Sequence, residues 1–349
     1  MRKSHLTLSS VCLLLPMILL ADTEQPTVSE HPQAKAAYMV PLAQHSLLTD
    51  VFKVSDNFFA VVGERGHILT SQDAVNWQQA TVPSQSNLTA LYFIDRERGW
   101  AVGHDASILA TTDAGVSWHL QQFKPETDKP LLDIYFRNAQ QGIAIGAYGM
   151  FYQTEDGGQH WHKVFHLDLV SEDDKEFLEE LAETDPESYQ LETESVLPHF
   201  NRLLADGKTL YIVGESGFIA KSNDFGESWQ LLEAFYNGSL FDIHRTPEMS
   251  LLAVGLRGHA FRSTDNGLSW SEISLPVNAT LNSVFSDQQG RIYITGNAGT
   301  LLISSDDGQS FQDGSLSDGL AILNGTVLAN QLLLVTEAGV SIQPISKSK

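Results

Sequence analysis

Cysteine is almost missing from this chain: the only one of 349 residues is Cys12. Disulfide frameworks, thiolate metal sites and cysteine nucleophiles are excluded together. Long apolar runs are equally scarce. The one candidate, Val11 to Leu20, is interrupted by Pro16, preceded by Arg2 and Lys3 and followed by Ala21 and a polar stretch. That order of charge, apolar run and small residue predicts a signal peptide over residues 1–21, followed by a flexible segment over 22–37, in an exported, periplasmic protein. Cys12 precedes the main run, Leu13 to Leu20, and so is badly placed to become a lipid-modified first residue. No later stretch approaches the roughly twenty apolar residues that a membrane helix needs. Basic residues are few as well: without residues 1–21, 19 Lys and Arg stand against 43 Asp and Glu, a net charge of −24. Such a surface repels nucleic acid. No glycine-rich loop leads into a helix, and Gly214-Glu215-Ser216-Gly217 lacks the spacing of a nucleophile elbow, so neither a nucleotide nor any other cofactor is expected.

What the chain has in abundance is a repeat. Six segments align, each ending in an aromatic: Trp77, Trp118, Trp161, Trp229, Trp270 and Phe311. Their spacings are 41, 43, 68, 41 and 41 residues, so a single unit carries an insertion and the rest keep their period. Within a unit, a Val-Gly pair and a second glycine after a two-residue gap, as in Gly63-Glu64-Arg65-Gly66, mark a tight hairpin. Then comes Ser/Thr-x-Asp-x-Gly-x-x-Trp, in which the aspartate accepts backbone N–H groups inside the turn and the glycine takes positive φ. These Asp-boxes are structural: Asp113 with Trp118, Asp156 with Trp161, Asp224 with Trp229, Asp265 with Trp270, and Asp306 with Phe311. The first, at Asp73, is degenerate, with Val75 near the glycine position and one residue fewer before Trp77.

Four short strands per unit make the chain all-β and predict a β-propeller over residues 38–345. Seven blades are expected, with six as the alternative, because Ile322 to Ile345 supplies three more strands without a box. Tyr38 to Leu42 is expected to complete that last blade and close the ring.

The paired motifs Val-Gly-x-x-Gly and Ser/Thr-x-Asp-x-Gly-x-x-Trp, seen at Gly103 with Asp113 to Trp118, Gly214 with Asp224 to Trp229 and Gly255 with Asp265 to Trp270, resemble the bacterial and plastid Asp-box propellers related to the photosystem II assembly and stability factor. The resemblance covers nearly all of residues 38–345. It implies an exported seven-bladed scaffold without catalytic residues that holds a membrane protein or its assembly intermediate. That would place it in the thylakoid lumen of a photosynthetic source; elsewhere in the family the client implied is another envelope protein, such as a transporter. The degenerate first box and Phe311 depart from the pattern, and so does the insertion.

That insertion, residues 166–199 between blades 3 and 4, is acidic: Ser171 to Glu194 holds eleven Asp and Glu against one Lys. Ser171 is a suitable N-cap, and Asp185-Pro186 starts a second helix. The apolar stripe Phe177, Leu178 and Leu181 predicts a helical hairpin resting on the propeller. Connections from outer to next inner strand share a face with the hairpins between second and third strands. The partner-binding face is therefore expected to carry Glu64, Arg65, His104, Asp105, Tyr148, Glu215 and Arg257, with Phe177, Glu179 and Glu180 from the insertion. Arg65 and Arg257, in matched positions, are expected to pair with its carboxylates in preference to binding an acidic partner group.

Asp-box propellers also include sialidases, so a carbohydrate-binding or glycoside-hydrolysing chain is the alternative. A sialidase needs three arginines on the substrate carboxylate, and no Phe-Arg-Ile-Pro sequence is present. This reading requires aromatics and carboxylates to converge at the funnel mouth. His160, His162 and His166 have alternate spacing suited to a metal, but the first two flank Trp161 where polar residues belong, and no metal site is assigned. Asp50, Asp133, Arg202 and Asp242 fall at aligned inner-strand positions, with separate blades expected to hold them apart as solvated channel polarity.

Overall fold

The computed structural model describes residues 34–345. They form seven sheets whose innermost strands touch in order around a ring, with blade 7 returning against blade 1. This is the seven-bladed propeller with a helical insertion between blades 3 and 4; the six-bladed alternative is dropped. The innermost strands are Leu48–Ser55, Leu88–Phe93, Leu131–Phe136, Phe200–Asp206, Leu240–Arg245, Leu281–Ser286 and Ile322–Leu328. Second strands such as Phe58–Gly63 and Leu251–Gly255 are buried throughout, because each lies inside its own sheet and between neighbouring blades. Fully burying one such Val, Leu or Ile contributes about 1.5–3 kcal/mol.

The Val-Gly motif has a steric cause. A Cβ on Gly63 would come within 2.1 Å of the Leu47 carbonyl oxygen, and one on Gly255 equally close to that of Ser239. Each hairpin folds down onto the lead-in to its own inner strand, where Glu64 N–H donates to Leu47 O and Leu256 N–H to Ser239 O. Hairpins and lead-ins therefore share one face, and the insertion joins them there.

The Asp-boxes staple the opposite face. In blade 4, Ser222 Oγ donates to Asp224 and accepts from Gly226 N–H, while Asp224 accepts from both the N–H and the hydroxyl of Ser228. The degenerate box forms too: Asp73 accepts from Val75 N–H, Asn76 N–H and the Asn76 carboxamide, and Ala74 takes the positive φ. In blade 3 the imidazole of His160 replaces the serine hydroxyl on Asp156, at 2.7 Å.

Ring closure differs from expectation. Among the described residues blade 7 has three strands, and Tyr38 to Leu42 is not one of them. That segment runs outside blade 1, with Val40 N–H donating to Gln79 and Gln79 donating to Tyr38 O. Exposed Tyr38, Met39 and Leu42 gain no sheet partner. The seam is closed instead by packing: Ala43, Leu48, Val51 and Phe59 share a core with Leu333 and Val335. Of the segment expected to be flexible, residues 34–37 are described and are bound: Ala37 N–H donates to Val82 O and Gln85 donates to Ala36 O. The expected signal peptide lies outside the described residues.

Candidate functional site

The hairpins carry Glu64, Arg65, His104, Asp105, Tyr148, Glu215 and Arg257 on the face they share with the lead-ins to the inner strands. Five hairpins place one residue at positive φ before a glycine: Arg65 (56°), Tyr148 (53°), Ser216 (55°), Arg257 (57°) and Ala298 (56°). This conformation turns those side chains outward. Arg65 and Arg257 are exposed, as are His104 and Tyr148, while Glu64, Asp105 and Glu215 are half-buried. Asp105 is occupied structurally, accepting the hydroxyl of Ser86.

The insertion is the helical hairpin the sequence predicts: α1 spans Glu172–Thr184 and α2 Pro186–Glu192. Ser171 caps α1 by accepting Asp174 N–H, and Asp185 caps α2 by accepting Ser188 N–H. Acids in the first turn also suit the helix dipole. The apolar stripe is narrower than expected. Leu178 is fully buried with Leu169, Val170 and Leu197, but Phe177 is 50% exposed, because neighbouring residues on a helix point about 100° apart. Glu179 and Glu180 face solvent.

Arg65 and Arg257 do not hold the insertion, which corrects the pairing expected of them. The carboxylate nearest Arg65 is its neighbour Glu64, at 3.8 Å, and Arg257 makes no ion pair among the described residues. The insertion is tied by residues that sequence reasoning missed. Lys129 Nζ donates to Glu194 O at 2.8 Å and sits 5.1 Å from the centre of the Tyr148 ring, while Lys163 lies 3.7 Å from the Glu194 carboxylate. The Tyr148 ring meets His199 edge-to-face at 4.5 Å. Lys129 lies in the connection before blade 3 and Lys163 in its outermost strand, His162–Lys163, but Lys124 and Lys175 occupy the same flanking connections, so position along the chain did not single them out.

The histidines expected to be weak metal candidates separate. His160 serves its Asp-box, His162 is exposed, and His166 is buried against Phe151 with its pKa lowered by burial. No group of three metal-ligating side chains occurs among the described residues.

The channel residues, by contrast, are brought together. Each innermost strand has a register shift near its start, and the residue there is Asp50, Ala90, Asp133, Arg202, Asp242, Ser283 or Asn324 in blades 1 to 7. Arg202 Nη1 lies 3.6 Å from Asp133 and Nε 3.2 Å from Asp242. Ser283 donates to Asn324, which donates to Asp50. The aspartates also clamp neighbouring blades: Asp50 accepts Leu91 N–H, Asp133 accepts Leu203 N–H and Asp242 accepts Val284 N–H. Burial raises the pKa of Asp50 against the opposing field of Arg202, and pushes Asp133 up to about 6. Burial disfavours the charge on Arg202, but Asp242, Asp133 and Asp50 outweigh it and hold its pKa above the ordinary value. Phe52, Tyr92 and Tyr135 stand in edge-to-face sequence, each 5.2 Å from the next, and line a cavity of about 470 Å³ with Asp50, Asp133 and Arg202. Aromatics and carboxylates thus do converge, as the carbohydrate reading requires, but the carboxylates are engaged as interblade clamps.

Comparison with known proteins agrees with the repeat-based resemblance. Residues 69–130 match the family model described as Photosynthesis system II assembly factor YCF48. No curated relative matches the sequence. Similar solved structures include YCF48 bound to D1 peptide, 18% identical over 90% of this chain and 97% of that one with a TM-score of 0.66. YCF48 from Cyanidioschyzon merolae is 16% identical over 89% and 99%, with a TM-score of 0.64. The WD40 β-propeller domain of Doa1 is 12% identical over 90% and 97%, with a TM-score of 0.63. At these identities the structural likeness establishes the fold.

Proposed function

We propose that this protein is an exported, non-enzymatic scaffold that docks a segment of a membrane protein, or of its assembly intermediate, on the hairpin face. The observation that carries the reading is the state of Arg65 and Arg257. Both are exposed on matched hairpins, and the acidic insertion is anchored by Lys129 and Lys163 instead. Two guanidinium groups are left to receive carboxylates or a chain terminus from a partner, as their fork geometry suits. The insertion adds a raised acidic rim bearing exposed Phe177, which gives the face a second, opposite chemistry. Binding of a D1 peptide by a YCF48 of the same fold supports an assembly-factor role. A photosystem component is the client in a photosynthetic source, and an envelope transporter in another. Engagement of the channel aspartates in backbone hydrogen bonds favours binding over hydrolysis, which needs a carboxylate free to exchange protons with substrate.

The test is crosslinked affinity capture from solubilised envelopes. Wild type should recover one membrane complex that both Arg65→Glu/Arg257→Glu and a deletion of residues 171–194 lose while remaining folded. Equal recovery by all three proteins overturns the hairpin-face reading.

A further inference from the structure

The ring of side chains at the channel mouth has a charge order that its chemistry does not complete. Around blades 3, 4 and 5 it runs Asp133, Arg202, Asp242, with one guanidinium bridging the carboxylates on either side. Around blades 1, 2 and 3 it runs Asp50, Ala90, Asp133, and alanine brings no charge to the same station. Asp50 is only 5% exposed yet has no cation within 4 Å among the described residues; its partners are the Leu91 N–H and the Asn324 carboxamide. Those two hydrogen bonds occupy its oxygens without bringing a charge, and a cation beside a buried carboxylate gains from the low local dielectric.

Space accompanies the charge. The cavity of about 470 Å³ lies against Asp50, Asp133 and Tyr92, and its wall also includes Phe52, Tyr135 and the Arg202 guanidinium. Three aromatic rings and two carboxylates stand there against the single guanidinium of Arg202, and such groups hold organic cations through cation–π attraction and ion pairing together. Bare metal ions are poorly served there, since no group of three ligating side chains forms among the described residues. A neutral saccharide would leave the charge of Asp50 uncompensated.

We propose that this cavity binds an organic cation of guanidinium type, seated between Asp50 and Asp133 as Arg202 is seated between Asp133 and Asp242. Burial raises the pKa of both carboxylates, and a cation seated beside them would favour their charged forms. The cation can be a free small molecule or an arginine side chain from a partner segment, and this site is independent of Arg65 and Arg257.

Calorimetric titration of the purified protein with N-acetyl-arginine methylamide, against its neutral citrulline counterpart at matched ionic strength, tests the idea. The arginine probe should bind and the citrulline probe should not. Asp50→Asn, which keeps an acceptor for Leu91 N–H, should weaken binding roughly tenfold or more, and Arg65→Glu/Arg257→Glu should leave it unchanged. Should the free probe fail, the same titration with a short peptide carrying a single arginine assigns the cation to a partner segment. Indifference to charge in both probes, saccharide binding in their place, or equal affinity in Asp50→Asn overturns the proposal. Ala90→Arg provides a second check: where it folds, it supplies the guanidinium internally and should abolish probe binding.

Discussion

Asp50 and Asn324, 274 residues apart in the chain, are hydrogen-bonded across the seam where the first blade meets the last. Ring closure here is a side-chain matter: the carboxamide holds the carboxylate, and the carboxylate in turn holds the Leu91 N–H of blade 2. Three consecutive blades are tied through one buried group.

Removing that carboxamide should open the seam. Asn324→Ala leaves Asp50 with one donor fewer in a buried position, at a cost of about 1–3 kcal/mol. Urea unfolding should show an earlier midpoint. An unchanged midpoint would mean that packing of Leu333 and Val335 against blade 1 suffices by itself.

The Asp-boxes should make the protein sensitive to acid. Hydrogen bonds from the hydroxyl and N–H of Ser228 lower Asp224 to about 2. A depressed carboxyl stabilises the fold above its unfolded pKa and loses that contribution as pH falls through the folded value. Melting temperature should therefore drop between pH 4 and pH 2. Asp224→Ala should lower it at neutral pH and flatten the drop.

Channel carboxylates should act in the opposite sense. Asp133, raised to about 6, contributes stability that is complete below its ordinary 3.8 and is lost as pH rises through 6. Thermal stability should decline from pH 4 to pH 6. Asp133→Asn should flatten that limb; if the decline persists, Asp50 carries it.

Leu178 should anchor the insertion without supporting the propeller. Leu178→Ala removes a fully buried side chain, at about 2–5 kcal/mol locally. Limited proteolysis should then cut within α1 or α2 sooner, while the environments of Trp118 and Trp270, outside the cluster that Leu178 shares with Trp229, are unchanged. Phe177→Ser, at an exposed position, should leave stability within about 0.5 kcal/mol and lower partner capture.

Arg65 and Arg257 should be costly residues kept for binding. Both hold positive φ, a conformation that costs a residue with a Cβ about 1 kcal/mol. Arg65→Gly and Arg257→Gly should raise the melting temperature slightly and reduce capture of the membrane client. A lower melting temperature would show that the side chains serve the fold instead.

The repeat made the architecture readable because both of its motifs are local. A glycine forced by a carbonyl at 2.1 Å and an aspartate bonded within four residues declare themselves to anyone counting along the chain. The blade construction, the face carrying the insertion and the caps at Ser171 and Asp185 follow from such short-range constraints, whereas seven blades over six was decided by the closed ring. Contacts between blades obey no sequence spacing. Arg202 reaches Asp133 and Asp242, Lys129 reaches Glu194, and Asn324 reaches Asp50 only after the ring has closed. Residues tens to hundreds of positions apart become neighbours through the rotation of one blade against the next. The amino-acid order alone therefore determined the blades and the side each hairpin faces. Which charges meet was decided by the closed ring, because a charge finds its partner by distance in space, and propeller closure sets that distance.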